Sequence, residues 1–259
     1  MKYFSANGED CLCWQFFDFK KKGFFLDIGA FDGIHFSNTY SFEIQGWQGV
    51  CVEPHPAIYP LLTRNRPASI CLDCACVSEM AAEAVEFFCE ELGLLSTSKK
   101  NPSYESFLME RYKKRGLAFG GIKEVTVPAL TVDEVIARFF TVANPLDIVS
   151  IDVEGAEMDV LQGFDVKRHK PGIIIIEANR PEQGEEIVEH LASRHGYIHA
   201  GTLVENLFFV KTRAEAAKIR AIRIECAIEP QMHPLGERFT AERYRTGKMV
   251  KKKVTPGLK

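Results

Sequence analysis

The chain has 259 residues, enough for one full α/β domain with an appendage and too few for two average domains with linkers. Apolar residues make up 46% and charged residues 26%, a balance that excludes a mostly disordered chain. With 32 Lys and Arg against 35 Asp and Glu the net charge is −3, which argues against a global polyanion-binding surface and against a specific nucleic-acid partner.

The longest all-aliphatic run, residues 173–176, falls far short of the roughly 20 apolar residues of a membrane span. Residues 1–10 turn polar at once and carry no signal-peptide core, so a cytoplasmic protein is expected. The eight cysteines then read as reduced, buried thiols. Cys71-x-x-Cys74-x-Cys76 has a metal-like spacing, but no second Cys pair or paired His accompanies it.

In chain order, a helix is predicted over 10–20 and an apolar strand over 24–28. The strand runs into Asp27-Ile28-Gly29-Ala30-Phe31-Asp32-Gly33, an acidic strand end followed by a glycine-spaced turn. This is not the G-x-G-x-x-G of a dinucleotide site, and Asp27 would repel a pyrophosphate. It suits a cationic ligand portion such as an α-amino group or a sulfonium. A helix over 37–44 and a strand over 49–53 follow, the strand ending in Glu53, 20 residues beyond Gly33. That spacing matches the carboxylate that accepts hydrogen bonds from a ribose diol in nucleotide-binding α/β folds. The simpler reading is that Glu53 caps a loop. Together the two acids describe a site for an adenosine-containing ligand with a positive, phosphate-free arm, which S-adenosyl-L-methionine fits.

Next come a helix over 58–65 and strands over 69–74 and 85–89. The charged stretch 90–123, with a weak helix over 104–115, interrupts the pattern as a lid or a surface insertion. A helix over 132–140 precedes a strand over 146–151 that delivers Asp152 and Glu154, and the strand over 172–177 ends in Glu177. If the chain stays extended through 152–154, the first two carboxylates point the same way. Three acids then converge on the carboxyl rim of the sheet, where open α/β sheets bind ligands, although strand ends also carry acids as mere anchors. Helices over 157–163 and 182–195 and a hairpin over 197–210 complete the pattern. Alternating strands and helices predict an open, mostly parallel sheet, and a TIM barrel lacks its eight βα units. Trp47 is expected to pack on the sheet, and His35, after the glycine turn, is a polar residue near a helix start. Residues 238–259 hold eight Lys and Arg and one acid, Glu242, and read as a solvated tail or a contact for an acidic partner.

The segments 27–33, Glu53-Pro54-His55-Pro56 and Ile151-Asp152-Val153-Glu154-Gly155-Ala156-Glu157 together resemble the FkbM-type S-adenosylmethionine-dependent methyltransferases. Thr131-Val132-Asp133 resembles the family's Thr-Leu-Asp-like stretch, and Ser5-Ala6-Asn7-Gly8-Glu9-Asp10 with Ser37-Asn38-Thr39 resembles its Ser-Gln-x-Gly-Glu-Asp subgroup. Ala6 stands where that subgroup usually has Gln, and Phe31 where most of the wider family has Asn. The resemblance spans residues 3–211 and implies a Rossmann-like, seven-stranded class I methyltransferase sheet, mostly parallel, with a reversed C-terminal hairpin and helices on both faces. It implies one domain over 1–223, with an N-terminal helical segment and the insertion near 90–123, and a basic tail over 224–259. Donor binding is implied for Asp27, Gly29, Gly33, Glu53 and the segment Asp73, Cys74, Ala75, with Ser37 and Asn38 at the methionine end.

For catalysis the candidates are Asp152 and Glu154 as base or acceptor-orienting group, then Glu177 and His35. An ordinary Asp pKa near 3.9 makes a poor base for an alcohol, so proton loss must accompany methyl transfer or burial must raise that pKa. Alternatively, Asp152, Glu154 and Glu177 hold a divalent metal that acidifies the acceptor. The expected acceptor is a hydroxyl of a sugar, a glycan or a glycosylated small molecule. The alternatives are N-methylation of a peptide amide side chain and a non-catalytic adenosyl-ligand binding protein.

Overall fold

A computed structural model describes residues 1–79, 83–100, 102–140, 145–229, 231 and 233, and the backbone of 251–254. In chain order the elements are α1 (Glu9–Phe16), β1 (Phe24–Ile28), α2 (Tyr40–Ile44), β2 (Gln48–Val52), α3 (Tyr59–Asn65), β3 (Ile70–Leu72), β4 (Ala75–Cys76), β5 (Ala84–Glu90), α4 (Tyr104–Lys114), β6 (Ile122–Leu130), α5 (Val132–Phe139), β7 (Ile148–Ile151), α6 (Glu157–Gln162), α7 (Val166–His169) and β8 (Ile173–Glu177). Then follow α8 (Pro181–Glu189), a π-helical turn (His190–Arg194), β9 (Ile198–Leu203), β10 (Asn206–Val210), α9 (Arg213–Ala221), β11 (Ile224–Ala227) and β12 (Lys251–Val254).

Seven strands form the main sheet in the order β3-β2-β1-β7-β8-β10-β9. All neighbours run parallel except β10, which is antiparallel to both β8 and β9. This is the expected open α/β sheet with its reversed strand in the last hairpin. The chain starts at β1, steps outward to β3, and resumes on the other side of β1 with β7. The β1–β7 junction is thus the point where strand order reverses, where doubly wound sheets leave a crevice beyond their carboxyl ends.

The central strands are apolar without alternation because both faces are covered. In β8, Ile173 and Ile175 join one core while Ile174 and Ile176 join the other. In β10, Phe208 and Val210 face the first core and Leu207 and Phe209 the second. Helices α1 and α9 and strand β11 cover one face; α5, α6, α7 and α8 cover the other. Helix α5 begins with a capping box in which Thr131 and Glu134 satisfy each other's backbone N–H groups. Residues 224–228, assigned to the tail by sequence, bury Ile224, Cys226 and Ile228 in the first core. The basic stretch 238–259 lies outside the described residues, apart from the backbone of β12 against β11.

The predicted strand at 85–89 does not enter the main sheet. It is β5, which pairs antiparallel with β6, and β6 in turn pairs with β4 in a separate three-stranded sheet. Strand β6 extends the insertion beyond residue 123, its sequence alternating over Glu124-Val125-Thr126-Val127-Pro128-Ala129 as a one-sided strand does. All eight cysteines are free thiols, seven of them buried. Among the described residues none of them belongs to a metal-like cluster.

Trp47 packs as expected. It is 1% exposed, lies against Phe17 and Phe42, and donates its indole N–H to the Lys20 carbonyl at 2.8 Å. Trp47→Ala should cost about 3–5 kcal/mol, read as a lower urea midpoint at unchanged slope. An unshifted midpoint would contradict this packing.

Candidate active site

The carboxyl ends of β1, β2, β7 and β8 open into one cleft of about 270 Å³, near the small end of ligand pockets at roughly 300 Å³. Asp27, Gly29, His35, Ser37, Asn38, Glu53, Cys74, Ala75, Asp152, Glu154 and Glu177 all line it. Two predicted residues do not. Asp73 is exposed and lies off the cleft, while its neighbours Cys74 and Ala75 turn inward. Gly33 faces α3 instead, where a Cβ would stand 2.4 Å from Arg66 Cγ and 2.8 Å from Leu62 Cδ1. Its glycine therefore serves helix packing rather than close approach of a ligand.

Gly29 is required by a different neighbour. At φ 81° its Cβ would stand 1.7 Å from the Asp152 carbonyl oxygen. Its N–H and that of Ala30 both donate to the Val52 carbonyl at 3.0 Å, tying the ends of β1 and β2 together. The turn then closes on Asp32, whose carboxylate accepts the Ile34 and His35 N–H groups at 3.0 and 2.6 Å. This brings His35, 3% exposed, against Phe31, Phe36 and His233.

Glu53 accepts the Phe31 N–H on one oxygen at 2.9 Å and the His55 N–H on the other at 2.8 Å. Burial, then the nearby charges of Asp152 and Asp27, push its carboxyl up to about 7. Asp27 accepts the Thr39 hydroxyl at 2.5 Å and lies 4.0 Å from the Arg66 guanidinium. Burial pushes the Asp27 carboxyl up, and Arg66 opposes that rise. Asn38 donates to the Ser150 hydroxyl at 3.1 Å across the sheet.

Asp152, Glu154 and Glu177 bring carboxylate oxygens within 4.8 Å of one another. The convergence has a different cause from the expected one: β7 ends at Ile151, and the chain turns at Glu154–Gly155 instead of staying extended. Glu154 takes the left-handed conformation, φ 55°, followed by Gly155 at φ 106°. Such backbone costs about 1–3 kcal/mol and collects at functional sites. Buried Glu157 fixes the turn by accepting the Val153 and Gly155 N–H groups at 3.2 and 3.0 Å, and is itself held by the Gln183 amide. Burial pushes Asp152 up to about 7, and the close approach of the Asp152 and Glu177 carboxyls couples their titration. Glu154 and Glu177 are pushed well above the usual carboxylate range by burial and by their neighbours' charges.

Arg111 of α4 and Arg115, which caps that helix, also line the cleft, with Gly93–Ser96 beside them. Sequence reading missed both. The signal was their spacing of four, which puts them near one face of α4, while Tyr104, Leu108 and Tyr112 are buried. Helix α4 is anchored by Tyr112, whose hydroxyl donates to Glu90 and accepts the Leu92 N–H at 3.2 Å. The insertion therefore forms a wall of the cleft.

Asp152 and Glu53 bind protons more tightly in the folded chain than their ordinary values of 3.8 and 4.5 allow unfolded. Folded-state proton binding therefore exceeds unfolded-state binding between about pH 4 and 7, and these groups' contribution to stability is lost as pH rises through that window. Asp152→Asn should raise Tm more at pH 8 than at pH 5. An equal change at both pH values would contradict the raised carboxyl.

Residues 27–198, well over half of the chain, match the family described as Methyltransferase FkbM domain. The chain is 27% identical over 168 residues to Methyltransferase sdnD of Sordaria araneosa, an alignment covering 59% of this chain and spanning 64% of that protein's length. Two solved structures are similar at lower levels. One is a provisionally named RNA methyltransferase from Pyrococcus horikoshii, with TM-score 0.39, 13% identity, 80% of this chain and 85% of that one. The other is precorrin-6y C5,15-methyltransferase from Geobacter metallireducens GS-15, with TM-score 0.38, 12% identity, 78% of this chain and 84% of that one. With the family match running from Asp27, near the end of β1, to the first residue of β9, across the whole carboxyl rim, the chain belongs to the FkbM methyltransferase family.

Proposed function

We propose that the protein is an S-adenosylmethionine-dependent O-methyltransferase acting on a hydroxyl of a sugar, a glycan or a glycosylated small molecule. The observation that carries the chemistry is the convergence of the Asp152, Glu154 and Glu177 carboxylates within 4.8 Å of one another, on the wall of the same cleft that holds Asp27 and Glu53.

The cleft's donor set fits the methyl donor. Glu53 spends one lone pair of each oxygen on a backbone N–H and keeps others for a ribose diol. Val52, Cys74, Ala75 and Phe87 offer an apolar side for adenine. Asp27, with Ser37 and Asn38, faces the cationic arm. When bound, the donor supplies an electrophilic methyl group on a neutral leaving thioether. The chain's tasks are then to align the acceptor, exclude water and remove one proton. A carboxylate oxygen of Asp152 takes the acceptor's hydroxyl proton, a role that a pKa near neutrality permits and an ordinary Asp does not. Glu177, close beside Asp152, stabilises the proton there, Glu154 orients the acceptor, and His35 stands further along the wall. The wall built by α4 and residues 93–96 keeps water out.

The same three acids support a second reading of the proton's removal, since their oxygens lie close enough to hold a divalent ion. Asp152, Glu154 and Glu177 would be its ligands, and its chemistry there would be to acidify the acceptor hydroxyl.

Calorimetry and a methyl-transfer assay over a panel of glycosides test these assignments. Asp152→Asn should lower turnover by about 10²–10⁴ while donor affinity stays within about threefold. Glu53→Ala should weaken donor binding about tenfold to a hundredfold. Full turnover in Asp152→Asn would remove the base assignment, and unchanged donor affinity in Glu53→Ala the ribose contact. Activity that survives EDTA would exclude the ion.

A further inference from the structure

A fully buried arginine lies behind the cleft without lining it. Arg66 caps the carboxyl end of α3 and has 0% exposure. Its Nε donates to Glu43 at 2.6 Å, one terminal nitrogen to the Gly33 carbonyl at 2.9 Å and the Ser37 hydroxyl at 3.3 Å, and the other to the Thr39 hydroxyl at 3.0 Å. Thr39 passes its own proton donor to Asp27 at 2.5 Å. The rings of Phe25 and Tyr40 lie 5.1 and 5.5 Å from the guanidinium carbon.

We propose that Arg66 is a positioning residue for the donor site. Through Thr39 and the Gly33 carbonyl it holds the Asp27 carboxylate and the turn at 33–39 against the cleft. It also supplies one of the two positive charges that the buried pair Asp27 and Glu43 requires. A single guanidinium between two buried carboxylates leaves one negative charge uncompensated, a costly state in a poorly solvated interior. A ligand whose cationic arm reaches Asp27 completes the balance; a neutral ligand does not. The network thereby selects for positive charge at that end of the cleft, while the Glu53 end is indifferent to it. This rests on the reading that Asp27 takes the donor's cationic arm.

The test compares two ligands by calorimetry: S-adenosylmethionine, which has the cationic arm, and adenosine, which lacks it. Wild-type protein should prefer the first. Thr39→Val cuts the hydrogen-bonded link from Arg66 to Asp27 and leaves their direct 4.0 Å charge pair in place. It should weaken S-adenosylmethionine binding by about tenfold or more while adenosine affinity stays within about twofold. Glu43→Gln/Arg66→Met, which removes the cation together with one of its carboxylates, should do the same, and Arg66→Lys should recover part of the loss. If the double variant does not fold, Thr39→Val decides alone. Equal loss for both ligands in Thr39→Val would reduce the network to a structural brace and overturn the proposal, as would no loss for either. A wild-type protein that fails to prefer S-adenosylmethionine over adenosine would instead overturn the assignment of Asp27 itself.

Discussion

There is no room for a side chain at residue 29. The backbone there passes so close to the Asp152 carbonyl that any Cβ would collide with it, and the two ends concerned belong to β1 and β7, the strands on either side of the reversal in strand order. This contact draws together chain ends that are more than a hundred residues apart in sequence. Asp27 and Glu53 come in on one side of it and Asp152 on the other. A wider spacing at Gly29 would leave two half-sites rather than one cleft.

The price of bringing so many carboxyls together is desolvation without enough positive charge nearby. The fold answers this in two ways. On the β1 side, hydrogen-bond donors do the work: backbone N–H groups on Glu53, a hydroxyl on Asp27, and a buried guanidinium behind them. On the β7 side burial and the neighbouring acids raise the proton affinity of Asp152, Glu154 and Glu177 together. The first arrangement fixes each carboxyl in place by hydrogen bonds to the backbone or to a neighbouring hydroxyl. The second leaves a carboxyl, Asp152, that titrates near neutrality.

The sequence carried the sheet plainly, because a strand such as Ile173–Glu177, covered on both faces, is apolar throughout and can hardly be mistaken. It carried Asp27, Glu53 and Asp152 for the related reason that each ends such a strand. It did not carry the way Glu154 reaches Asp152, since nothing in the residues announces a left-handed turn held by Glu157. Gly33 was legible as a turn but not as a packing partner of Arg66, a relation between segments 33 residues apart in the chain. Arg111 and Arg115 were hidden for another reason. They sit in a charged helix whose exposed face, with Lys113 and Lys114, reads as solvated surface until the tertiary fold turns one side of it toward the cleft.

The insertion keeps its own small apolar clusters. Phe88, Tyr104 and Leu108 form one, and Leu92 with Tyr112 another, both separate from the two cores that sandwich the main sheet. The wall of the cleft and its floor are thus stabilised by different sets of contacts. Substitutions that reshape α4 draw on the wall's clusters and leave the contacts around Gly29 untouched. Such a division lets the wall change shape without disturbing the junction between β1 and β7.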